Sequence, residues 1–231
     1  MLLSPHPSIK MLASVTDVEE ALMALDAGVD IVDLKNPAAG ALGALDYSII
    51  EAIVKSIDAR TTVSATIGDL PMDPALILAA SKTMLATGVD VVKIGFFGNN
   101  FHQACLNALA PLAEGGAKLI GVMFADQCPD MQLLAPIAQA GFYGVMLDTA
   151  YKNGSHLLEH MNCQQLNAFV VKARAFGLEV GLAGSIQLSH IKELSSIEPS
   201  YLGFRGALCE HSNRTSRLDV VKMQAIKKML E

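Results

Sequence analysis

The sequence contains no tryptophan, and aromatic residues are only 5% of its 231 residues. Charge is sparse as well: Asp, Glu, Lys and Arg together make 17%. What charge exists is mixed, with 17 Lys+Arg against 23 Asp+Glu, a formal net charge of −6. No long Lys/Arg run is present, so neither nucleic acid nor an anionic membrane surface is an expected partner. No apolar run reaches the roughly 18 residues that a spanning helix needs. Val122 to Ala125, for instance, stops between Gly121 and Asp126. The first eight residues lack a basic segment leading into an apolar one, so no secretory leader is expected. The four cysteines (Cys105, Cys128, Cys163 and Cys209) are far apart with no CxxC. That spacing is expected of reduced thiols in a cytoplasmic protein rather than of a disulfide framework or a zinc site.

What is abundant is apolar residues, at 52%. With so little net charge, this excludes intrinsic disorder. At about 100 to 200 residues per domain, the length allows one large domain or two small ones. One pattern then recurs. A helical stretch ends in glycine, a short apolar run follows, and small or polar residues close it. Gly28 precedes 29–35, Gly88 precedes 89–95, Gly116 precedes 117–122, Gly141 precedes 143–148 and Gly177 precedes 178–183. Glycine adopts the left-handed conformation that ends a helix at low cost. A nearly continuous apolar run after it reads as a buried parallel strand. The runs 10–15, 62–67 and 201–205 bring the expected strands to eight. Helix starts stand between them: Thr16-Asp17-Val18-Glu19 reads as a capping box, and Asp73-Pro74 as an N-cap followed by proline. Eight strand–helix units predict an α/β protein, a (β/α)8 TIM barrel forming a single domain over residues 1–231. A doubly wound sheet is the competing fold, but no GxGxxG follows the first strand.

Barrel sites form at the C-terminal ends of the strands. There the sequence places Asp33 and Lys35, Lys93, Asp148 with Lys152, Gly184-Ser185, and Arg205-Gly206-Ala207. Alternation puts Asp33 and Lys35 on one face of their strand. A lysine inside an apolar strand is costly unless paired, which singles out Lys93. Three lysines and two carboxylates at one mouth suggest Schiff-base chemistry. A neutral amine attacks a carbonyl, and carboxylates move protons between the intermediates. A solvated loop charge is the competing reading for Lys35 and Lys152, and a snorkelling side chain for Lys93. Gly184, Ser185, Arg205, Gly206 and Ala207 occupy the usual barrel phosphate position. Arg214 and Arg217 lie just downstream and read equally as a second anion contact or as surface. His156 and His160, four apart, lack the HExxH of a zinc protease, and no metal site is expected.

Several segments, in this order, carry a more specific signal. They are Ala13-Ser14-Val15 with 17–21, Asp33-Leu34-Lys35-Asn36-Pro37, 63–69 ending in Gly68-Asp69, and Val92-Lys93-Ile94-Gly95. Met146-Leu147-Asp148-Thr149-Ala150 with Lys152 and Gly154, 182–186, and Phe204-Arg205-Gly206-Ala207 with Cys209 complete the set. Together they resemble the (5-formylfuran-3-yl)methyl phosphate synthase family from about Met11 to the last helix. The resemblance implies a (β/α)8 fold and neither metal nor organic cofactor. It implies two glyceraldehyde 3-phosphate molecules as substrates, condensing to a phosphorylated furan aldehyde with loss of phosphate and water. The product would serve methanofuran-type one-carbon carriers of methanogens and methylotrophs. By motif position Lys35 would form the Schiff base, Lys93 and Lys152 would assist, and Asp33 and Asp148 would transfer protons. A class I aldolase acting on another sugar phosphate is the alternative activity, and a non-catalytic phosphometabolite-binding regulator the alternative of another class. The apolar content permits a homo-oligomer.

Overall fold

In a computed structural model, the described residues are 8–98, 100–151 and 154–231. Eight parallel strands pair in chain order, and the last closes on the first. They are β1 (Lys10–Val15), β2 (Ile31–Leu34), β3 (Thr62–Thr66), β4 (Val91–Gly95), β5 (Lys118–Phe124), β6 (Gly144–Asp148), β7 (Glu179–Leu182) and β8 (Tyr201–Phe204). Helices alternate with them: α1 (Val18–Asp26), α2 (Tyr47–Ile57), α3 (Pro74–Ala86), α4 (His102–Glu114), α5 (Leu134–Gln139), α6 (Leu157–His160), α7 (Cys163–Ala175), α8 (Ile191–Ser195) and α9 (Val220–Leu230). The expected barrel is therefore present, with strand limits within two residues of the sequence pattern. No helix among the described residues is long and apolar enough to cross a membrane.

The pleat of each strand sorts its side chains into two cores. Residues such as Ala13, Val32, Ala65, Val92, Leu147 and Leu182 face outward and pack beneath the helices. Leu12, Val91, Ile120, Val122, Met146 and Tyr201 fill the barrel interior. The same parity carries Ser14, Asp33, Ser64, Lys93 and Asp148 inward. Register aligns them into a belt: Ser14 pairs with Asp33, and Asp33 with Ser64. Lys93 pairs with Thr66, and Asp148 with Phe124.

The helices begin as their sequences dictate, with one shift. Asp73 accepts from the Leu76 amide at 2.9 Å ahead of Pro74, the expected cap of α3. At α1 the cap lies one residue later than the Thr16–Glu19 box. Asp17 accepts from the Glu20 amide at 2.9 Å, and Glu20 reaches back to the Thr16 amide at 2.8 Å. Glu20 takes this role because its carboxylate is also bound by Arg205, which anchors the helix start to the strand β8 end.

Interior space is tightly apportioned. A side chain at Gly181 would run into the ring of buried Tyr201. Gly181→Ala is expected to destabilise the barrel by about 2 kcal/mol through overpacking. Urea unfolding checks this, and an unchanged midpoint would show that the ring yields.

Candidate active site

The C-terminal mouth of the barrel opens into a cavity of about 310 Å³. Its floor is ionic. Lys93, 2% exposed, sits with Nζ 2.6 Å from Asp33 Oδ1. Asp33 is further held by Ser64, donating at 2.6 Å, and by Ser14, donating at 3.0 Å. Burial pushes the Lys93 pKa below its ordinary value; Asp33 opposes the shift and Lys35 reinforces it. A buried charge keeps its proton only through partners of this kind. Above the floor, Lys35 Nζ lies 3.1 Å from Asp148 Oδ2. The Thr149 amide donates to Asp148 Oδ1 at 2.7 Å and fixes the carboxylate. Two lysines and two carboxylates thus alternate within one cavity, with Lys35, Lys93, Asp33 and Asp148 all on its wall. Lys152 lies outside the described residues.

The loops after β7 and β8 form the opposite wall, through Gly184, Ser185, Gln187, Gly206, Asn213 and Arg214. Gly184 has φ +108°, and a Cβ there would stand 2.8 Å from Thr149 Cγ2. Only glycine lets this loop approach β6 so closely. Ala207 is not on the wall; its side chain packs in the core under the helices.

Arg205 corrects the expectation of a fixed charge for phosphate. All its guanidinium nitrogens are occupied. Nε donates to the Arg214 carbonyl at 2.8 Å, and Nη1 to Ser14 O at 3.1 Å and Glu20 Oε2 at 2.5 Å. Nη2 donates to Glu20 Oε1 at 3.1 Å and Ser216 O at 3.0 Å. With its five donors spent, the side chain ties β1, α1 and the β8 loop together. Arg214 is the guanidinium that remains at the mouth. It donates to Gly40 O at 3.1 Å and lines the cavity. Arg217 is exposed and away from the cavity wall. His156 stands at the N-cap of α6, and its ring lies tilted against that of His190 with centroids 4.2 Å apart. Among the described residues, no three His, Cys, Asp or Glu side chains converge as a metal site would require.

Sequence reasoning missed Ser14 and Ser64 as holders of Asp33, and Glu20 as the partner of Arg205. Strand parity was a usable signal for the serines. Glu20 lies 185 residues from Arg205, and nothing in the chain announces that contact.

The sequence profile of the family described as 4-HFC-P synthase matches residues 11–227. The chain belongs to this family. The (5-formylfuran-3-yl)methyl phosphate synthase of Methanothermobacter thermautotrophicus is 33% identical over 232 residues, covering 96% of this chain and 98% of that protein. That of Methanocaldococcus jannaschii is 34% identical over 232 residues, with 95% and 98% covered. A Methylorubrum extorquens protein provisionally given the same name is 43% identical over 221 residues, with 95% and 91% covered. Among solved structures, phosphoribosyl anthranilate isomerase from Thermus thermophilus aligns with a TM-score of 0.68 at 16% identity, over 96% of this chain and 98% of that one. 3-Hexulose-6-phosphate synthase from Salmonella typhimurium aligns equally, with the same score, identity and coverage. These two likenesses are of fold. The 4-HFC-P synthase family, in contrast, supports a synthase role for this chain.

The pairing of Arg205 gives a stability test. Arg205→Ala removes the charge and all five donors, and leaves Glu20 and three carbonyls short of partners. A loss of about 3 kcal/mol is expected from breaking a buried pair, measured by urea unfolding. Unchanged stability would return Arg205 to the list of ligand contacts.

Proposed function

We propose that this protein condenses two molecules of glyceraldehyde 3-phosphate, through an imine on Lys35, to (5-formylfuran-3-yl)methyl phosphate with loss of one phosphate and water. The observation that carries the proposal is the set of two lysines and two carboxylates alternating in one cavity, in a member of the 4-HFC-P synthase family. Lys35 is the more exposed of the two lysines, at 9% against 2%. Its amine reaches a bound carbonyl without displacing the Lys93–Asp33 pair.

In this reading one triose isomerises to its ketone form, and the Lys35 nitrogen adds to the carbonyl. Proton transfer to the carbinolamine oxygen expels water and leaves the imine. Asp148, 3.1 Å from the Lys35 amine, takes the proton that Lys35 must lose. Removal of a proton beside the imine gives the enamine, which forms a carbon–carbon bond to the aldehyde of the second triose. That aldehyde oxygen takes up a proton. Lys93 and Asp33 supply and recover protons at the floor, where burial favours a neutral lysine. Elimination of one phosphate, ring closure by a hydroxyl and dehydration give an aromatic furan, and hydrolysis frees Lys35. Aromatisation makes the sequence downhill.

The phosphates are anions at a mouth where Arg205 is already spent. Among the described residues, Arg214 and the backbone of the Gly184-Ser185 and Gly206 turns are placed to bind them. No step draws on a metal, and the lysines themselves activate the carbonyls.

A class I aldolase would use the same lysines but release an open-chain product. Near-ultraviolet absorbance separates the two, because a furan aldehyde absorbs there and an aldol does not. Borohydride added during turnover of glyceraldehyde 3-phosphate should fix an adduct on Lys35, located by peptide mass mapping. An adduct only on another residue, or none during rapid turnover, would sink the assignment. Lys35→Ala should lose at least 1000-fold in kcat, in line with removal of a covalent nucleophile. A chelator should leave the rate unchanged; a loss restored by a divalent metal would contradict the mechanism.

A further inference from the structure

Among the described residues, two carboxylates at the mouth make no ion pair with Lys35 or Lys93, yet each is engaged by backbone. Asp69, just beyond β3, accepts from the Ala41 amide at 2.7 Å and the Leu42 amide at 2.6 Å. Asp126, just beyond β5, accepts from the Ala150 amide at 2.8 Å and the Tyr151 amide at 2.7 Å. The two arrangements match. Each aspartate leaves the end of one strand and binds two consecutive amides in the loop after a neighbouring strand. The loops so held follow β2 and β6, the strands whose ends carry Lys35 and Asp148.

We infer that Asp69 and Asp126 are positioning residues: each clamps one loop so that Lys35 and Asp148 face each other across the cavity. This rests on the Schiff-base reading above. Three observations support it. The clamped loop after β2 folds back on its own strand end, with the Asn36 amide donating to Gly43 O at 2.8 Å. That closes a ring whose first residue adjoins Lys35. Gly40 in this loop has φ +115°, and a side chain there would overlap the Asp69 carboxylate. The loop is thus shaped around Asp69. Arg214 also donates to Gly40 O, so the same clamp sets the mouth guanidinium. On the other side, Asp126 holds the two residues after Thr149, whose amide fixes Asp148. Each contact is charge-assisted, with two donors on one carboxylate. A displacement of about 1 Å in reacting groups costs up to about 100-fold in rate. The clamps therefore act on catalysis without touching substrate.

Asp69→Asn and Asp126→Asn keep shape but replace one acceptor oxygen by a donor amide, so one of the two backbone N–H groups loses its partner. In the full chain, each variant should speed hydrogen exchange at its own pair of amides, Ala41 and Leu42 or Ala150 and Tyr151, at least tenfold. kcat should fall at least tenfold, while KM for glyceraldehyde 3-phosphate stays within threefold. For Asp69→Asn, the rate of borohydride trapping on Lys35 should fall in parallel. A merely structural role would instead lower the melting midpoint and leave kcat per folded molecule unchanged. The inference is overturned if kcat stays within twofold of wild type while the amides exchange faster, or if their exchange does not change. Should Asp69→Asn fail to fold, Gly40→Ala perturbs the same clamp from the loop side and should give the same kcat loss. Wild-type turnover without trapping would refute the imine alone, and kcat and exchange would still decide the clamps. Wild-type protein with no activity on triose phosphate would refute the functional reading and the inference together.

Discussion

An ammonium and a carboxylate buried inside a barrel are stable only if each satisfies the other. Lys93 and Asp33 meet at 2.6 Å on adjacent-but-one strands, and much of the barrel interior is arranged around them. Ser14 and Ser64 flank Asp33 in register and donate to its two oxygens. Breaking such a pair leaves an uncompensated charge, at a cost of about 3–5 kcal/mol. A hydrophobic substitute of equal volume would serve stability at least as well. The pair is thus poorly explained by stability alone, and the proposed mechanism gives it a use, as a source of mobile protons at the cavity floor.

The second ionic layer depends on the first. Lys35 lies two residues beyond Asp33, on the same face of β2, so the pleat that buries the floor also delivers Lys35 to the mouth. Lys35 meets Asp148 across the barrel, 113 positions along the chain. Neighbouring positive charge at Lys35 disfavours the charged form of Lys93, and Asp33 favours it. Burial, the Asp33 carboxylate and the Lys35 charge thus all act on the one Lys93 amine.

The barrel was legible in the sequence because its signals are local. Glycine after a helix, a short apolar run and a polar close recur in five of the eight units, and each is set by backbone conformation within the unit. Lys93 was legible for the same reason: one charge in Val91-Val92-Lys93-Ile94 stands out against its neighbours. Arg205 lines the cavity, but its guanidinium is engaged within the protein. A sequence shows that a guanidinium is present, not how many of its donors are already taken. That number depended on Glu20, Ser14, Arg214 and Ser216, three of them loop or helix-start groups with no periodic signature. Asp69 and Asp126 stand at strand ends in the sequence without an assigned role, for a related reason. An aspartate after a strand is ordinary, and its role is defined by the loop it holds rather than by its own surroundings in the chain.

The saturation of Arg205 reshapes the electrostatics of the mouth. A guanidinium locked to a carboxylate presents little net charge to a ligand, so in the proposed reaction attraction of a phosphate falls on other groups at the mouth. Arg214 lines the cavity and donates to Gly40 O across that mouth. Gly40 in turn is held beside Asp69. The geometry that places Arg214 and the geometry that places Lys35 therefore share one loop. In the proposed reaction of two phosphorylated trioses both are needed at once, because a carbonyl would be presented correctly to Lys35 only with the phosphate at the other end of the same molecule anchored. One carboxylate just beyond β3 holds the loop on which both placements depend.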